Sequence, residues 1–460
     1  MKAIETKHLT EVLRSRVVHE IVGASPQLRV TGVSTDSRHV QEGDCFVAIR
    51  GERFDGHDFA RQAADKGARC LITERQIDGC AAPVLVVDDS IAALGDLARW
   101  YRGRMDAGVI AITGSAGKTT TRRIVSHALG QRFKCNESPM SYNNHIGMPL
   151  TVLSTEAEHE FLVMELGSNA PGEIAYLTGI ARPDIAAVTN VHPAHLAGFG
   201  SMENIVREKA SIRQGLVPGG TLLINGDFDA LRRHCDEIGV AYTAFGQSAG
   251  CDITGECFVC HGASGSLRIE GRMINVPLAG RANLENVLAA WAVCKCAGLS
   301  LEDFAEAAAA LTPARMRLDI QRIGSITLIN DCYNANPASM ANAIDTLMRI
   351  SNSAPGRTVF VCGHMGELGA QSEALHAELG QRVAKAGIGV LLAAGPFAAT
   401  TAGAARGAAS RGLECSVFSD TDVLCDKLVD IVQDGDIILV KGSRSAGLER
   451  AVRALTEAFS

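Results

Sequence analysis

"AITGSAGKTTTRR" occupies residues 111–123 and separates an apolar run from a segment with helical spacing. The run 109–113 predicts a buried strand of a parallel sheet. Glycine and small residues at 114–117 would let backbone N–H groups converge on a polyphosphate. Lys118 would place a charge near the β and γ phosphates, and the Thr119 hydroxyl could bind Mg²⁺. The stretch therefore predicts a strand, a phosphate loop and a helix whose N-terminus faces the phosphate.

One position departs from the general phosphate-loop pattern, which has its first glycine where this chain has Ile112. The alternative is a glycine-rich turn before an ordinary helix. The Lys-Thr-Thr sequence at 118–120 favours nucleotide binding over that alternative.

Composition limits the remaining possibilities. A chain of 460 residues with 47% hydrophobic residues predicts two to four domains. The net charge of -7, without Lys/Arg runs among aromatics, argues against a nucleic-acid groove. The charged N-terminus is unlike a signal peptide. The uncharged stretch 386–405 contains Pro396 and four glycines, so we interpret it as a strand and a small-residue helix rather than a membrane span. We therefore expect a cytoplasmic protein.

The fourteen cysteines have no framework spacing, and we expect them to be reduced. "CFVCH" at 257–261 formally matches a c-type haem attachment motif, but haem attachment requires export. A zinc knuckle would need a second ligand pair, which the sequence does not show. We interpret the cysteines as small apolar residues.

Short apolar segments alternate with helical patterns along the chain, which predicts an α/β fold with three domains. We place the domain boundaries at 1–104, 105–314 and 315–460, the last marked by Pro313 and the arginines that follow it. The predicted strands are 45–49, 70–73 and 84–87 in the first domain, 109–113, 161–166, 185–191 and 221–225 in the second, and 358–363, 389–395 and 436–442 in the third.

Two side chains follow strands of the second domain. Glu165 ends one predicted strand and His195 follows the next, so both should lie at the C-terminal edge of the sheet, where ligands bind in open α/β folds. With the Thr119 hydroxyl they would suit Mg²⁺ bridged to ATP oxygens. The alternatives are a surface carboxylate and a histidine that bonds only to backbone.

Seven motifs follow one another along the chain: "ITGSAGKTT", "MELGSNAPGEI", "HLAGFGS", "REKASI", "AGRANLENVLAA", "NDCYNANPASM" and "VKGSRS". Together with the N-terminal stretch 34–68, they resemble the Mur ligases of peptidoglycan synthesis over nearly the whole length. Within that family, "DCYNANP" at 331–337 resembles the members that add D-alanyl-D-alanine to UDP-N-acetylmuramoyl-tripeptide.

The resemblance implies a small N-terminal α/β UDP-sugar-binding domain, a central P-loop parallel-sheet ATPase domain and a C-terminal Rossmann-like domain. It implies an ADP-forming amide ligase that makes an acyl phosphate, using ATP and two Mg²⁺ ions, and working as a monomer in the bacterial cytoplasm. The alternatives are a related Mur or folylpolyglutamate-type amide ligase and, from a different class, a nucleotide-dependent switch or scaffold.

The resemblance also implies catalytic and metal-binding residues. Thr119, Glu165 and His195 would serve Mg²⁺. Lys209 would be a CO₂ adduct, a carbamate that binds the second Mg²⁺, whereas a helical lysine is otherwise usually a solvated charge. The phosphates would be held by Gly114, Ser115, Ala116, Gly117, Lys118, Thr119 and Thr120.

Further residues are implied for the nucleotide and the substrate. Asn283 resembles an adenine contact, Asp331 a ribose contact, and Arg317 the hinge arginine that reaches nucleotide phosphates. The candidates for the UDP-sugar and its peptide are Ser37, Arg38, Asn143 and Asn144. Three positions depart from the family pattern: Ala282 stands at a frequent histidine, Met316 at a frequent glycine and His364 at a common aspartate.

Overall fold

The computed structural model describes residues 1–22, 28–51, 53–139, 141–352, 356–409 and 412–460. Residue 52, within the stretch 34–68, therefore lies outside the described residues. Three main sheets follow one another along the chain, each with its own helices. The predicted α/β class and three-domain organisation are confirmed.

The N-terminal region forms a five-stranded sheet in which one edge strand is antiparallel and the others are parallel. Its order is β2-β7-β6-β5-β4, and β1 pairs separately with β3. The elements are β1 Ile4–Glu5, α1 Thr6–Val12, β2 Val17–Val22, β3 Arg29–Val30, β4 Gly32–Ser34, β5 Asp44–Val47, α2 Ala60–Asp65, β6 Cys70–Thr73, β7 Val84–Val87 and α3 Ser90–Arg102.

Helix α3 joins this region to the next one. It begins after Asp89, whose carboxylate accepts hydrogen bonds from two first-turn N–H groups. Near its end, Arg102 Nη2 donates to Asp184 over 2.8 Å and the Tyr101 hydroxyl donates to the Thr155 carbonyl over 2.6 Å. Its buried apolar side chains belong to one hydrophobic core shared with the central sheet. The first two sheets are therefore packed together by α3.

The central region has a nine-stranded sheet of order β9-β10-β8-β11-β12-β13-β14-β15-β16. Its elements are β8 Gly108–Thr113, α4 Lys118–Leu129, β9 Cys135–Glu137, α5 Gly147–Leu153, β10 Phe161–Glu165, α6 Glu173–Ala181, β11 Ile185–Val188, α7 Leu196–Phe199, α8 Met202–Ala210, β12 Thr221–Asn225, α9 Asp229–Glu237, β13 Thr243–Gly246, β14 Ile253–His261, β15 Ser264–Ile269, β16 Arg272–Val276, α10 Arg281–Cys296 and α11 Leu301–Ala309.

The predicted parallel sheet is present from β9 through β14, but β14, β15 and β16 form an antiparallel meander. Two tight turns allow the reversals. In the second, Glu270 and Gly271 have φ angles of 49° and 83°, the left-handed pair that suits a two-residue hairpin. The "CFVCH" motif lies in β14, in the part of that strand that pairs with β15, and Cys257 is exposed. The central sheet is therefore mixed rather than wholly parallel.

The C-terminal region forms a six-stranded sheet of order β17-β18-β22-β19-β20-β21, parallel except for β17. The stretch 386–405 contains β20 and most of α14, and among the described residues no helix has the length and apolarity to cross a membrane. The elements are β17 Asp319–Ile323, β18 Ile326–Asn330, α12 Pro337–Ser351, β19 Thr358–Cys362, α13 Ser372–Ala386, β20 Val390–Ala394, α14 Ala398–Ala408, β21 Glu414–Phe418, α15 Thr421–Ile431, β22 Ile437–Lys441 and α16 Glu449–Phe459.

Candidate active site

A cleft of about 1230 Å³ lies between the central and C-terminal sheets. From the central side it is lined by the loop 115–120 and by residues that follow β10 and β11. From the other side it is lined by residues at the carboxyl ends of β18 and β22. Because strand ends of both parallel sheets meet there, the cleft has the position expected for a ligand site in α/β proteins.

The loop before α4 is built around two glycines with left-handed φ angles. A Cβ on Gly114, where φ is 148°, would lie 2.1 Å from Thr189 Oγ1. A Cβ on Gly117, where φ is 78°, would lie 2.1 Å from Asn286 Oδ1. Helix α4 begins at Lys118, directly after this loop, so its first N–H groups are available to an anion. Only glycine fits these two positions, and the result is the predicted strand, loop and helix.

Lys118 folds back onto this loop, where its Nζ donates to the Gly114 carbonyl over 2.8 Å. Burial lowers the pKa of Lys118, and the negative charge of Glu165 opposes that shift. The lysine therefore lies beside the loop amides, within the part of the cleft that the sequence assigns to phosphate.

Arg317, which follows the central domain in the sequence, contacts the same loop. Arg317 Nη2 donates to Thr119 Oγ1 over 3.0 Å, and its guanidinium carbon lies 4.2 Å from the centre of the Tyr333 ring. The backbone on both sides of it is left-handed, with φ angles of 63° at Met316 and 50° at Leu318. Glycine adopts that conformation without steric cost, so the glycine that the family resemblance implies at position 316 would fit there without the strain of Met316.

Glu165 lies at the carboxyl end of β10, where it pairs in register with Ile112 of β8. It is fully buried, and its Oε1 accepts a 2.8 Å hydrogen bond from Asn143 Nδ2. Within the described part of the chain its Oε2 has no hydrogen-bond partner, and Arg122 Nε is 3.9 Å from it. A buried carboxylate oxygen without a hydrogen bond fits the oxygen ligands that Mg²⁺ prefers.

His195 lines the same side of the cleft, whereas Lys209 is not among the lining residues and contacts one of them, Ser168. Lys209 is 2% exposed, and its Nζ donates to Ser168 Oγ over 2.8 Å. Burial, helped by the charge of Lys118, lowers the pKa of Lys209 to about 7, so it is not a solvated helix charge. Burial also lowers the pKa of His195, which Glu367 opposes. These two groups are near enough to influence each other electrostatically.

Metal-binding residues of the usual types are sparse. In the described part of the chain, no three His, Cys, Asp or Glu side chains cluster as a metal site. The set drawn from the sequence has only one carboxylate and one imidazole, Glu165 and His195. A second Mg²⁺ site at this place would therefore depend on further oxygen ligands, such as a carbamate on Lys209.

On the C-terminal side of the cleft, Asp331 follows β18 and both of its carboxylate oxygens are engaged. Oδ1 accepts from the Leu318 N–H over 3.1 Å, and Oδ2 accepts from Lys441 Nζ over 2.6 Å. Lys441 is 2% exposed and also donates to the Asn334 carbonyl over 3.0 Å. Lys441 thus holds the carboxylate of Asp331 in one orientation at the edge of the cleft.

The side-chain amide of Asn283 is already hydrogen-bonded through both its nitrogen and its oxygen, which leaves little capacity for the predicted adenine contact. Its Nδ2 donates to the Ala279 carbonyl over 2.8 Å, and its Oδ1 accepts from Asn286 Nδ2 over 3.3 Å. The N–H of the neighbouring Ala282 donates to Asn342 Oδ1 of α12 over 3.1 Å. The start of α10 therefore binds the C-terminal domain through Ala282, while the Asn283 amide bonds to Ala279, just before α10, and to Asn286 within it.

The four predicted substrate residues fall into two places. Asn143 and Asn144 line the cleft, whereas Ser37 and Arg38 are not among the residues that line it. Ser37 is buried and its Oγ donates to Gln62 over 3.1 Å. Arg38 is exposed and pairs with Asp36 over 2.7 Å, which holds the pKa of that carboxyl well below its usual range. The N-terminal domain instead reaches the cleft at the start of α3.

Three residues at the site have no predicted role, although the sequence contained a signal for each. Lys441 stands in "VKGSRS" and Asn286 in "GRANLEN", both within motifs of the family resemblance. Glu367 stands in "GHMGELG", whose glycine spacing resembles a dinucleotide fingerprint without matching it. Each acts through contacts with a distant segment, which the motif alone does not reveal.

Comparisons with known proteins agree with this geometry. Residues 29–102 match the Mur ligase family catalytic domain, residues 112–294 the Mur ligase middle domain, and residues 315–444 the Mur ligase glutamate ligase domain. The UDP-N-acetylmuramoyl-tripeptide--D-alanyl-D-alanine ligase of Escherichia coli (strain K12) is 36% identical over 466 residues, covering 99% of each chain.

Two solved structures are similar throughout. A crystal structure of MurF from Acinetobacter baumannii has a TM-score of 0.90 at 30% identity and covers 99% of both chains. MurF ligase from Thermotoga maritima in complex with ADP has a TM-score of 0.80 at 29% identity, covering 94% of this chain and 98% of its own. With its three regions matched in order and a relative of this identity along almost its whole length, the chain belongs to the Mur ligase family.

Proposed function

We propose that this chain is the ATP-dependent ligase that joins D-alanyl-D-alanine to UDP-N-acetylmuramoyl-tripeptide, releasing ADP and phosphate. The relative from Escherichia coli bears the name of that activity, and the relative from Thermotoga maritima was solved with ADP. The observation that carries the proposal is the 3.0 Å contact of Arg317 with Thr119. It joins the C-terminal domain to the phosphate loop, so a nucleotide bound there is held by two domains.

The chemistry follows from the poor reactivity of a carboxylate toward an amine, since its leaving group would be oxide. Transfer of the γ-phosphoryl group of ATP to the carboxylate releases ADP and makes an acyl phosphate. The neutral amine of D-alanyl-D-alanine then attacks the acyl carbon and loses a proton, a C–N bond forms, and phosphate leaves with the C–O bond electrons. Both reacting partners of the first step are anionic, so the charges of Lys118 and Arg317 would lower the barrier.

The residues fit Mg²⁺: Thr119, Glu165 and His195 would serve one ion, and Lys209, as a carbamate, would bind a second. When bound, Mg²⁺ would neutralise charge on the phosphate oxygens. Lys209 would serve as a carbamate: its neutral amine attacks CO₂, a C–N bond forms and the amine loses a proton. A pKa of about 7 leaves roughly half of the amine neutral at pH 7, which makes that reaction accessible.

The remaining assignments divide the substrates among the domains 1–104, 105–314 and 315–460. Asp331, held by Lys441, would accept hydrogen bonds from the ribose hydroxyls, and Asn283 would border the adenine. The first domain would bind the UDP-sugar, with its peptide running toward the central domain. The residues assigned to this substrate are Ser37, Arg38, Asn143 and Asn144. We expect a monomer that works in the bacterial cytoplasm and binds no nucleic acid.

The proposed function is tested by measuring whether phosphate release requires both substrates. We expect release from ATP only when a UDP-N-acetylmuramoyl-tripeptide and D-alanyl-D-alanine are both present, with tripeptides of differing third residue compared in parallel. A related amide ligase would prefer another amine or acid, so equal turnover with L-glutamate or a free amino acid would contradict the proposal. Release without any amine would instead favour a nucleotide-dependent switch.

A further inference from the structure

The loop 363–369 of the C-terminal domain contacts the start of α7 in the central domain. The Nδ1–H of His195 donates to the carboxylate of Glu367. The Ala197 N–H donates to the Glu367 carbonyl over 3.1 Å. Gly369 packs so closely that a Cβ on it would lie 3.2 Å from the Cα of Ala197. One side-chain contact, one backbone hydrogen bond and one close packing contact therefore join the two loops.

The loop presents Glu367 from a fixed backbone. Glu367 has a φ of 60°, a left-handed conformation that costs a residue other than glycine about 1 kcal/mol. Such strain persists where the surroundings impose it, and it is concentrated at functional sites. The buried His376 supports the loop: its Nε2 accepts from the Met365 N–H over 2.9 Å, and its ring stacks on Phe397 at 4.4 Å. Glu367 is thus aimed at His195 by the fold.

The contact decides which imidazole nitrogen of His195 is available. A carboxylate only accepts, so the proton stays on Nδ1 and the lone pair remains on Nε2. His195 lines the cleft, whereas Glu367 is not among the residues that line it. Histidines that bind metals commonly donate their other ring N–H to a carboxylate, which sets the tautomer and the ring orientation. The pair has this arrangement, with the carboxylate supplied by another domain.

We infer that Glu367 is a positioning residue of the metal site, through which docking of the C-terminal domain orients His195 for Mg²⁺. The inference rests on the proposed role of His195 as a ligand. It follows that metal binding and domain docking favour each other, since a coupling between two equilibria acts equally in both directions. The reactive acyl phosphate would then form only in a cleft that the C-terminal domain already covers.

Metal affinity of the full-length chain tests this inference. Mn²⁺ binding is measured by electron paramagnetic resonance with a non-hydrolysable ATP analogue and bicarbonate present. We expect Glu367→Ala to weaken Mn²⁺ binding at the His195 site by 10- to 100-fold, the usual effect of removing such a partner. Glu367→Gln should lose less, because its amide oxygen still accepts from Nδ1–H. The control Glu373→Ala, which removes an exposed carboxylate of α13, should bind Mn²⁺ like the parent.

A double variant separates orientation of His195 from simple domain adhesion. In a His195→Ala background, Glu367→Ala should cause no further loss of Mn²⁺ affinity, because the ring that it orients is gone. A further loss of the same size would mean that Glu367 only holds the domains together, and would overturn the inference.

Single variants separate this inference from the proposed metal site. If His195→Ala weakens Mn²⁺ binding and Glu367→Ala does not, the inference fails and the ligand assignment stands. If neither variant changes it, His195 is not a ligand, and the inference falls with that assignment. Thermal unfolding of Glu367→Ala and Glu367→Gln, expected to match the parent, shows that both variants are folded.

Discussion

Replacing Lys209 with methionine should reveal the energetic cost of its burial. The pKa of this amine falls from 10.5 to about 7 in the folded protein. Below pH 7 that difference corresponds to a destabilisation on the order of 5 kcal/mol, since each tenfold change in proton affinity is worth about 1.4 kcal/mol. The amine binds a proton more weakly in the folded state, so stability increases as the pH rises from 7 to 10.5. At pH 9 the remaining cost is about 2 kcal/mol.

Lys209→Met removes this cost and fills similar space with an apolar chain. It also takes away the 2.8 Å hydrogen bond to Ser168, a loss of about 1–3 kcal/mol that does not depend on pH. The absolute change in stability is therefore a difference of opposing effects. Its pH dependence is simpler: the free energy of unfolding of the variant relative to the parent should fall by about 2 kcal/mol between pH 7 and pH 9.

Urea unfolding in CO₂-free buffers at pH 7, 8 and 9 measures this change. Trp291 is buried in the core of the central domain, so its fluorescence, in a Trp100→Phe background, reports on the domain that contains Lys209. Lys134→Met, at a lysine whose side chain is 64% exposed, should show no such pH dependence. If the parent and Lys209→Met differ by the same free energy at every pH, Lys209 carries its ordinary pKa and the reasoning is refuted.

Four further variants test the proposed nucleotide and metal sites. Lys118→Ala should abolish ligation and leave thermal unfolding unchanged, because one phosphate-facing charge is lost; undiminished turnover would end the phosphate-loop assignment. Asp331→Ala should weaken ATP binding about tenfold without affecting the UDP-substrate, and Lys441→Met should do the same by releasing the Asp331 carboxylate. Equal ATP affinity in titration calorimetry would remove that role. Lys209→Ala should lose ligation, with partial rescue by acetate and loss of a ¹³CO₂-derived carbamate signal in nuclear magnetic resonance. Turnover equal to the parent, or a parent without that signal, would contradict the carbamate.

Much of the fold follows from local sequence. The strands predicted at 70–73, 84–87 and 221–225 coincide with β6, β7 and β12, because buried parallel strands are continuous apolar runs. The phosphate loop is equally local, since glycine conformations and the following helix need only adjacent residues. The antiparallel meander of β14 to β16 was not predicted, because apolar and polar residues do not alternate regularly along the sequence of β14.

What the sequence alone determined about this protein is therefore its three α/β domains, its phosphate loop and its place in a ligase family. The tertiary structure decided which side chains meet. His195 and Glu367 are 172 residues apart, and Lys441 and Asp331 are 110 apart. A lysine on a helix is indistinguishable from a solvated charge until packing buries it, as it does Lys209. The tertiary fold brings neighbours from distant segments of the chain. These neighbours set the proton affinity of a side chain, its orientation and its access to the cleft, and local sequence patterns do not reveal them.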